Sequence, residues 1–389
     1  MTMHKNPIIR TVLISLWFGL LILPFSDVAF SAEVSAAIAV SLFAVMGLRA
    51  VMRSGAASGL RAASARISDT ASMLANSRKG IPALTALAIF LCVFPVFADR
   101  YALDLATQSG IYIVLALGLN IVVGQTGLLV LGYVAFYAVG AYTYAILGTA
   151  HGVNFWAALP IAVFLAGIFG IMLGAPALRL RGDYLAIVTL GFGEITRIVL
   201  NNWDSLTGGP NGISGVPRPS TGFVAFSSLS HFYYLVLALV VLTIFLVKRL
   251  NDSRIGRAWI AIREDEIAAE AMGVNTMMLK LLAFMLGAML AGLAGAFYSA
   301  KMGFVSPESF NFLESVIILC MVVLGGMGSI AGVVVGALVL YLLPEALRDL
   351  QQYRMLIFGA AMVTIMVFRP QGILGTRRRG IELSLKETA

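Results

Sequence analysis

Two cysteines, three histidines and a charged fraction of 12% are few for 389 residues, and no glycine is followed by lysine anywhere in the chain. Each shortage excludes something. Cys92 and Cys320 match no metal or redox spacing and cannot build a disulfide framework. His4, His151 and His231 are scattered, which argues against a metal site or a histidine relay. Without a Gly-Lys pair there is no G-x-x-x-x-G-K-[ST] loop to cradle nucleotide phosphates. No His, Cys or carboxylate cluster has catalytic spacing, so no catalytic residue and no metal ligand is assigned, and a membrane enzyme is disfavoured.

What remains is strongly apolar. The chain is 60% hydrophobic, has a mean hydropathy of +0.93 and carries 39 glycines. That composition fits an all-α, polytopic transmembrane helical bundle, since a helix satisfies its own backbone in lipid. Apolar runs at 11–30, 34–52, 81–98, 106–123, 128–148, 156–178, 184–200, 231–248, 281–300, 313–327, 330–344 and 354–368 give about 10 to 12 spans. Most approach the roughly 20 residues that cross about 30 Å of hydrocarbon. The runs 313–327 and 330–344 are short and open to a re-entrant reading.

Basic residues orient the spans, because cytoplasmic loops collect Lys and Arg. With both termini inside, twenty-one of the 27 Lys and Arg residues face the cytoplasm, against Arg100, Arg218, Lys301, Arg348 and Arg354 outside and Arg197 within a span. The formal charge of +8 therefore flanks apolar helices and does not form a nucleic-acid face. The stretch after Lys5 and Arg10 reads either as a retained anchor, the preferred reading, or as a cleaved signal peptide. The chain divides into an N-terminal two-span hairpin at 1–52, a basic linker at 53–80, a core at 81–375 and a basic tail at 376–389. Leu60, Ile67 and Leu74 recur in the linker as in a helix lying on anionic lipid, although a loose polar linker fits equally.

Two Gly-interrupted apolar segments stand out, one with Asn120, Gly124 and Gly127 and one with Gly325 and Gly326. Broken helices of this kind line transport paths, while close packing through spacings such as Gly332 to Gly336 or Gly287, Ala291 and Gly295 explains the same glycines more plainly. Glu194 and Arg197, three apart on one helical face and near Gly191, lie deep in a span. They form either a mutual ion pair or the border of a path for a zwitterionic solute. The following segment, 201–220, is dense in turn formers, with Gly208, Gly209, Pro210, Asn211 and Gly212 at its centre. It reads as an irregular external connector or as a gate.

The remaining charge is concentrated at 263–273, "REDEIAAEAMG". Residues 254–275 read as one short helix ending at Gly273, with Trp259, Ile260, Ile262, Ile267 and Ala271 apolar. The helix is either a solvated amphipathic element or a docking surface for a partner.

The chain resembles the LivM-type permease subunit of branched-chain amino-acid ABC transporters. The likeness runs from about Leu103 to Gly375 through "GLNIVVGQTGLLVLGY", "LRLRGDYLAIVTLGFGEITRIVLNN", "LTGGPNGISGVPRP", "GRAWIAIREDEIAAEAMG", "GFVSPESFNFLES", "VVLGGMGS" and "FRPQGIL". The resemblance implies an ABC importer permease fold in a bacterial plasma membrane. It implies a homologous second permease of LivH type, two ATP-binding subunits of LivG and LivF type and an extracytoplasmic amino-acid-binding protein. ATP and Mg would sit on the ATP-binding subunits, with no cofactor on this chain. The stretch "EAMG" looks like the loop that seats in an ATPase groove, which implies coupling through Arg257, Arg263, Glu264, Asp265, Glu266, Glu270 and Gly273. Transport of leucine, isoleucine and valine is the leading expectation. A urea or short-chain amide permease of the same family is the alternative, and an ion-coupled secondary transporter is less favoured.

Overall fold

The computed structural model describes residues 81–178, 180, 182–220 and 228–346, with positions 359, 363, 372 and 373. The expected hairpin at 1–52, the linker at 53–80, the run at 354–368 and the tail at 376–389 lie outside the described residues. The chain divides after Ala86 into two compact units, and the second, from Leu87 onward, holds every element between Arg100 and Ala346.

Among the described residues the structure is almost wholly helical. The helices are α1 (Ile81–Phe97), α2 (Arg100–Leu119), α3 (Val134–Ala150), α4 (Phe155–Ala177), α5 (Asp183–Asn202), α6 (Asp204–Thr207), α7 (Leu229–Asn251), α8 (Arg254–Glu264), α9 (Glu266–Ala271), α10 (Thr276–Met302), α11 (Phe312–Gly325) and α12 (Ile330–Ala346). A π-helical turn, Asn120–Gln125, extends α2, and a two-residue antiparallel ladder pairs β1 (Ile213–Ser214) with β2 (Phe304–Val305). The helices start where short polar side chains accept the first free backbone N–H groups: Ser228 caps α7, Ser253 α8, Asp265 α9, Asn275 α10 and Asn311 α11.

Among the described residues four segments are long and apolar enough to cross a membrane: Arg100–Gln125, Phe155–Ala177, Leu229–Asn251 and Thr276–Met302. Val134–Ala150, Phe312–Gly325 and Ile330–Ala346 are apolar but shorter. At 14 residues α11 is roughly 21 Å long, less than a full hydrocarbon core. Several element bounds shift from the hydropathy reading, and two of the shifts have a local cause. The run expected at 128–148 becomes helical only at Val134, because the chain closes a loop through the Leu128 N–H to the Val122 carbonyl (3.3 Å). The single helix expected over 254–273 is two helices, because Asp265 is extended (φ −156°, ψ 109°) and uses its carboxylate to cap α9.

Small residues let the helices approach closely. On α10, Gly287 meets the Gly118 carbonyl of α2 (3.1 Å from a built Cβ), Gly292 faces Gly140 of α3, and Gly295 lies under the Tyr137 carbonyl. Gly170 of α4 packs on Ala288. A methyl group on Gly140 would collide with the Gly292 backbone. This is close packing without a hydrophobic driving force between helices, as lipid requires. α2 carries the centre of the core, with Ile111, Val114, Leu115 and Leu117 fully buried.

The contacts sort the segment ends into two sets. Ile213 pairs with Val305, Lys301 with Asp104 and Tyr101 with Glu345 at one end. Arg263, Gly124, Gly328, Gln125 and Asn251 meet at the other. These are the same two groups into which the basic residues divide the loops.

Candidate functional site

The charged elbow is built from α8, Asp265 and α9. Trp259 (0% exposed) and Ile262 (4%) face inward, and the Trp259 indole N–H donates to the Leu279 carbonyl (2.7 Å), pinning α8 against the start of α10. Glu266 Oε1 pairs with Lys280 Nζ at 2.5 Å, with the Lys280 side chain 8% exposed. The opposite face is open: Ile267 is 70% exposed, Met272 84%, and Glu270, Ala271 and Gly273 are exposed beside them. Gly273 has φ +83°, which ends the elbow in a conformation that disfavours side chains.

The expected coupling residues thus separate by role. Arg257 donates to the Asp252 carbonyl (3.0 Å) at the start of α8. Asp265 accepts from the Ala268 N–H (3.0 Å). Glu266 is committed to Lys280. Glu264 and Glu270 stand on the exposed side, and Arg263 turns inward. Of the apolar residues read from the sequence as one set, Trp259 and Ile262 belong to the core, while Ile260, Ile267 and Ala271 do not.

Arg263 connects the elbow to the Gly-interrupted segments. Its Nη1 donates to the Gly124 carbonyl in the π-helical turn, and the same nitrogen lies 3.3 Å from where a Cβ would stand on Gly328. Its Cγ covers Gly127 at 3.1 Å, measured the same way. Asn120 Oδ1 accepts from the Gly328 N–H at 2.8 Å, so the π-helical turn and the turn between α11 and α12 are bonded directly. The Ile373 N–H donates to the Leu324 carbonyl (2.8 Å), and Gly372 lies against Gly326 and Gly325. Asn120 Nδ2 and Gln125 Oε1 are buried without a hydrogen-bond partner among the described residues. Asn120, Gly124, Gly127, Gly325 and Gly326 therefore form one packed junction at the end of the bundle that carries the elbow. π-Helical turns and unsatisfied buried polar groups both favour sites that rearrange.

Gly191, Glu194 and Arg197 are elsewhere, on α5. The pair is formed, Arg197 Nη2 to Glu194 Oε2 at 2.9 Å, with the side chains 37% and 33% exposed. α5 buries Leu185, Ala186, Thr189 and Gly193 and leaves Ile187, Ile195 and Ile198 more than half exposed. Among the described residues, nothing beyond the adjoining backbone of α5 lies within 4 Å of a Cβ built on Gly191.

The segment expected to be irregular at 201–220 contains short regular elements. α6 is followed by a 3-10 turn, Gly209–Asn211, and by β1. Gly208, Gly209 and Gly212 have φ of +73°, +55° and +66°, and a Cβ on Gly212 would strike the Val305 carbonyl. Pro210 and Asn211 occupy the 3-10 turn. The Tyr144 hydroxyl donates to the Pro217 carbonyl (2.6 Å), tying the segment's far side to α3.

Three contacts escaped the sequence reading. Gln125 donates to Asn251 Oδ1, Glu266 pairs with Lys280, and the Tyr112 hydroxyl donates to Glu314 Oε2 at 3.0 Å. Glu314 was visible as an ionisable residue in an apolar run; its tyrosine neighbours come from distant segments. Among the described residues no group of three His, Cys, Asp or Glu could hold a metal ion.

Comparison with known proteins bears on these features. Residues 101–366 match the family described as branched-chain amino acid transport system / permease component. The chain is 48% identical over 323 residues to the high-affinity branched-chain amino acid transport system permease protein LivM of Escherichia coli K12, covering 77% of this chain and 76% of that one. It is 28% identical over 240 residues to the probable branched-chain amino acid transport permease protein LivM of Methanocaldococcus jannaschii, covering 56% and 68%. It is also 28% identical over 291 residues to the permease protein LivH of the same Escherichia coli system, covering 69% and 92%. No solved structure gives a significant match.

Proposed function

The chain belongs to the family of branched-chain amino acid permease components, and from that premise we propose that it is the LivM-type subunit of an ATP-driven importer for leucine, isoleucine and valine. It lies in the bacterial inner membrane with the elbow on the cytoplasmic side. A homologous LivH-type permease completes the conduit, two ATP-binding subunits drive it, and an extracytoplasmic binding protein delivers the solute.

The observation that carries this reading is the exposed face of α9. An apolar pair, Ile267 and Met272, stands in solvent beside Glu270, on a six-residue helix fastened behind by Glu266–Lys280 and by Arg263–Gly124. Apolar anchors inside a charged rim suit a protein partner, with the charges setting register and the anchors supplying affinity. The fastening suits a lever. When ATP closes the two ATP-binding subunits, each elbow moves as a body, and the junction at Gly124 and Gly328 passes the displacement into α2, α11 and α12. The isoleucines exposed on α5 would suit lipid, but the half-open Glu194–Arg197 pair beside them would not, and the second permease covers that face. The path then runs between the two permeases.

The test is reconstitution of the five proteins in vesicles. Labelled leucine, isoleucine and valine are expected to enter when ATP is supplied and to continue entering when a proton ionophore collapses the gradient. Loss of uptake with the gradient, ATP being present, would reassign the chain to secondary transport. Preferential uptake of urea or acetamide would move it to the amide permeases. Ile267→Asp is expected to release the ATP-binding subunits on purification while the two permeases stay together.

A further inference from the structure

Intramembrane carboxylates are costly unless a cation accompanies them. Of the carboxylates on the apolar helices, Asp104 is held by Lys301 (3.0 Å) and Glu194 by Arg197 (2.9 Å). Glu314 differs. No Lys, Arg or His among the described residues reaches salt-bridge distance of it, and its side chain accepts from the Tyr112 hydroxyl. Lys301, a cation at the same end of the bundle, is occupied by Asp104 and by the Gln108 side-chain oxygen (2.9 Å).

Tyrosines from four helices gather near the carboxylate, Tyr112 in direct contact with it. Tyr112 of α2 and Tyr341 of α12 have ring centroids 5.0 Å apart. Tyr137 of α3 and Tyr298 of α10 have ring centroids 5.4 Å apart, and Phe310, four residues before Glu314, lies against both at 5.1 and 6.0 Å. Tyr112 and Tyr298 are half-buried, as are Tyr341 and Glu314, so the cluster is closed behind by Tyr137 and reachable in front. Tyr112 stands roughly 18 Å along the helix axis from Arg100, which is well inside a membrane-spanning segment. A carboxylate set among aromatic rings favours a cation over an anion, since its own charge attracts one and ring faces add about 0.5–2 kcal/mol each where an ammonium group lies over them.

We propose that Glu314, with Tyr112, Tyr298 and Tyr341, is the subsite that receives the α-ammonium group of an amino acid as it crosses. The inference rests on the importer function proposed above and adds a location to it. Glu194 is less suited, because Arg197 already neutralises its charge inside the same helix. The solute's own positive charge completes at Glu314 a pairing that the described residues leave open, and removal of the solute restores the Tyr112 hydrogen bond alone.

The experiment uses the assembled importer in vesicles, with labelled leucine taken up and the ATP hydrolysed measured together. Glu314→Gln is expected to lower leucine uptake by roughly ten-fold or more, the worth of a hydrogen bond to a charged group, with assembly intact. Glu314→Asp should recover part of the loss. Unchanged uptake by Glu314→Gln overturns the subsite and leaves the importer reading standing. Failure of the unsubstituted importer to take up leucine overturns both. Should Glu314→Gln not assemble, Tyr341→Cys provides a second reading with the carboxylate in place. A cationic thiosulfonate is expected to modify it roughly ten-fold faster than an anionic one of similar size, because the local field concentrates cations, and leucine should protect it. Equal rates, or no protection, would also overturn the subsite.

Discussion

The guanidinium of Arg263 hydrogen-bonds the backbone carbonyl of Gly124, across 139 residues of sequence. Arg263 is the last arginine of α8, next to the break at Asp265, and Gly124 sits in the π-helical turn that ends the central helix. A charged donor on a main-chain acceptor is tied to backbone position, not to the partner's side chain. Movement of α8 therefore acts on α2 directly. The lost bond in Arg263→Ala is worth about 1.5–3 kcal/mol, and its expected consequence is an uncoupled importer. ATP hydrolysis continues in vesicles, while leucine uptake per ATP falls roughly ten-fold or more. Arg263→Lys, with one point charge for a fork of donors, should fall between. Equal coupling ratios in the variants and the parent would show that the contact transmits nothing.

The next contact behind the elbow allows a cleaner test than reversing its acidic run, because Asp265 and Glu266 serve the fold. Lys280 is buried at 8% exposure and has Glu266 as its ion-pair partner. Glu266→Ala leaves that ammonium uncompensated. The expected cost is about 1–3 kcal/mol, below the range for a fully buried pair because a third of Glu266 is exposed. Adding Lys280→Met should return most of the loss, whereas Glu270→Ala, on the open face, should cost little. Thermal unfolding of the detergent-solubilised protein measures all four, and a double variant no better than Glu266→Ala would exclude the pair as the cause.

The division of segment ends was legible in the sequence, since Lys and Arg are sparse on one side, five against twenty-one, and the β1–β2 ladder joins two of the segments assigned there. The Glu194–Arg197 pair was equally legible, because a spacing of three on one helix fixes contact locally. The elbow was legible as a charged segment but not as two helices. Hydropathy does not separate Asp265 from the glutamates on either side, although an Asp three residues before a bonded N–H is itself a cap signal. Arg263 and Glu314 were not legible in their roles. Their partners, Gly124 and Tyr112, are 139 and 202 residues away, and which side chains converge there depends on how Gly118, Gly287 and Gly295 bring the helices together.

Those close approaches distinguish glycines that pack from glycines that do not. Gly140→Ala drives a methyl group into the Gly292 backbone, where nothing can move without separating α3 from α10. A destabilisation of about 1–3 kcal/mol is expected. Gly191→Ala meets nothing within 4 Å and gains helix propensity of up to about 1 kcal/mol. The first variant should melt several degrees lower in detergent, on the order of the shift that such an energy produces, and the second should melt no lower than the parent. A parent-like Gly140→Ala would mean that α3 and α10 are further apart than their glycines suggest.

The ion pair on α5 is the remaining residue set whose role can be separated from stability. Exchanging the partners, Glu194→Arg with Arg197→Glu, keeps a three-residue spacing and a salt bridge while turning the dipole of the pair end for end. If α5 lies against the second permease beside the path, the exchange places a positive charge where a neighbour or a solute meets a negative one, and like charges brought together in a poorly solvated interface cost several kcal/mol. The expected outcome is a protein that folds and melts like the parent but takes up leucine at no more than roughly a tenth of its rate. Recovery of one co-purified LivH-type partner per chain then separates the two causes: loss of the partner points to the interface, and loss of uptake with the partner retained points to the path. Parent-like uptake with the partner retained would confine Glu194 and Arg197 to a structural pair within α5.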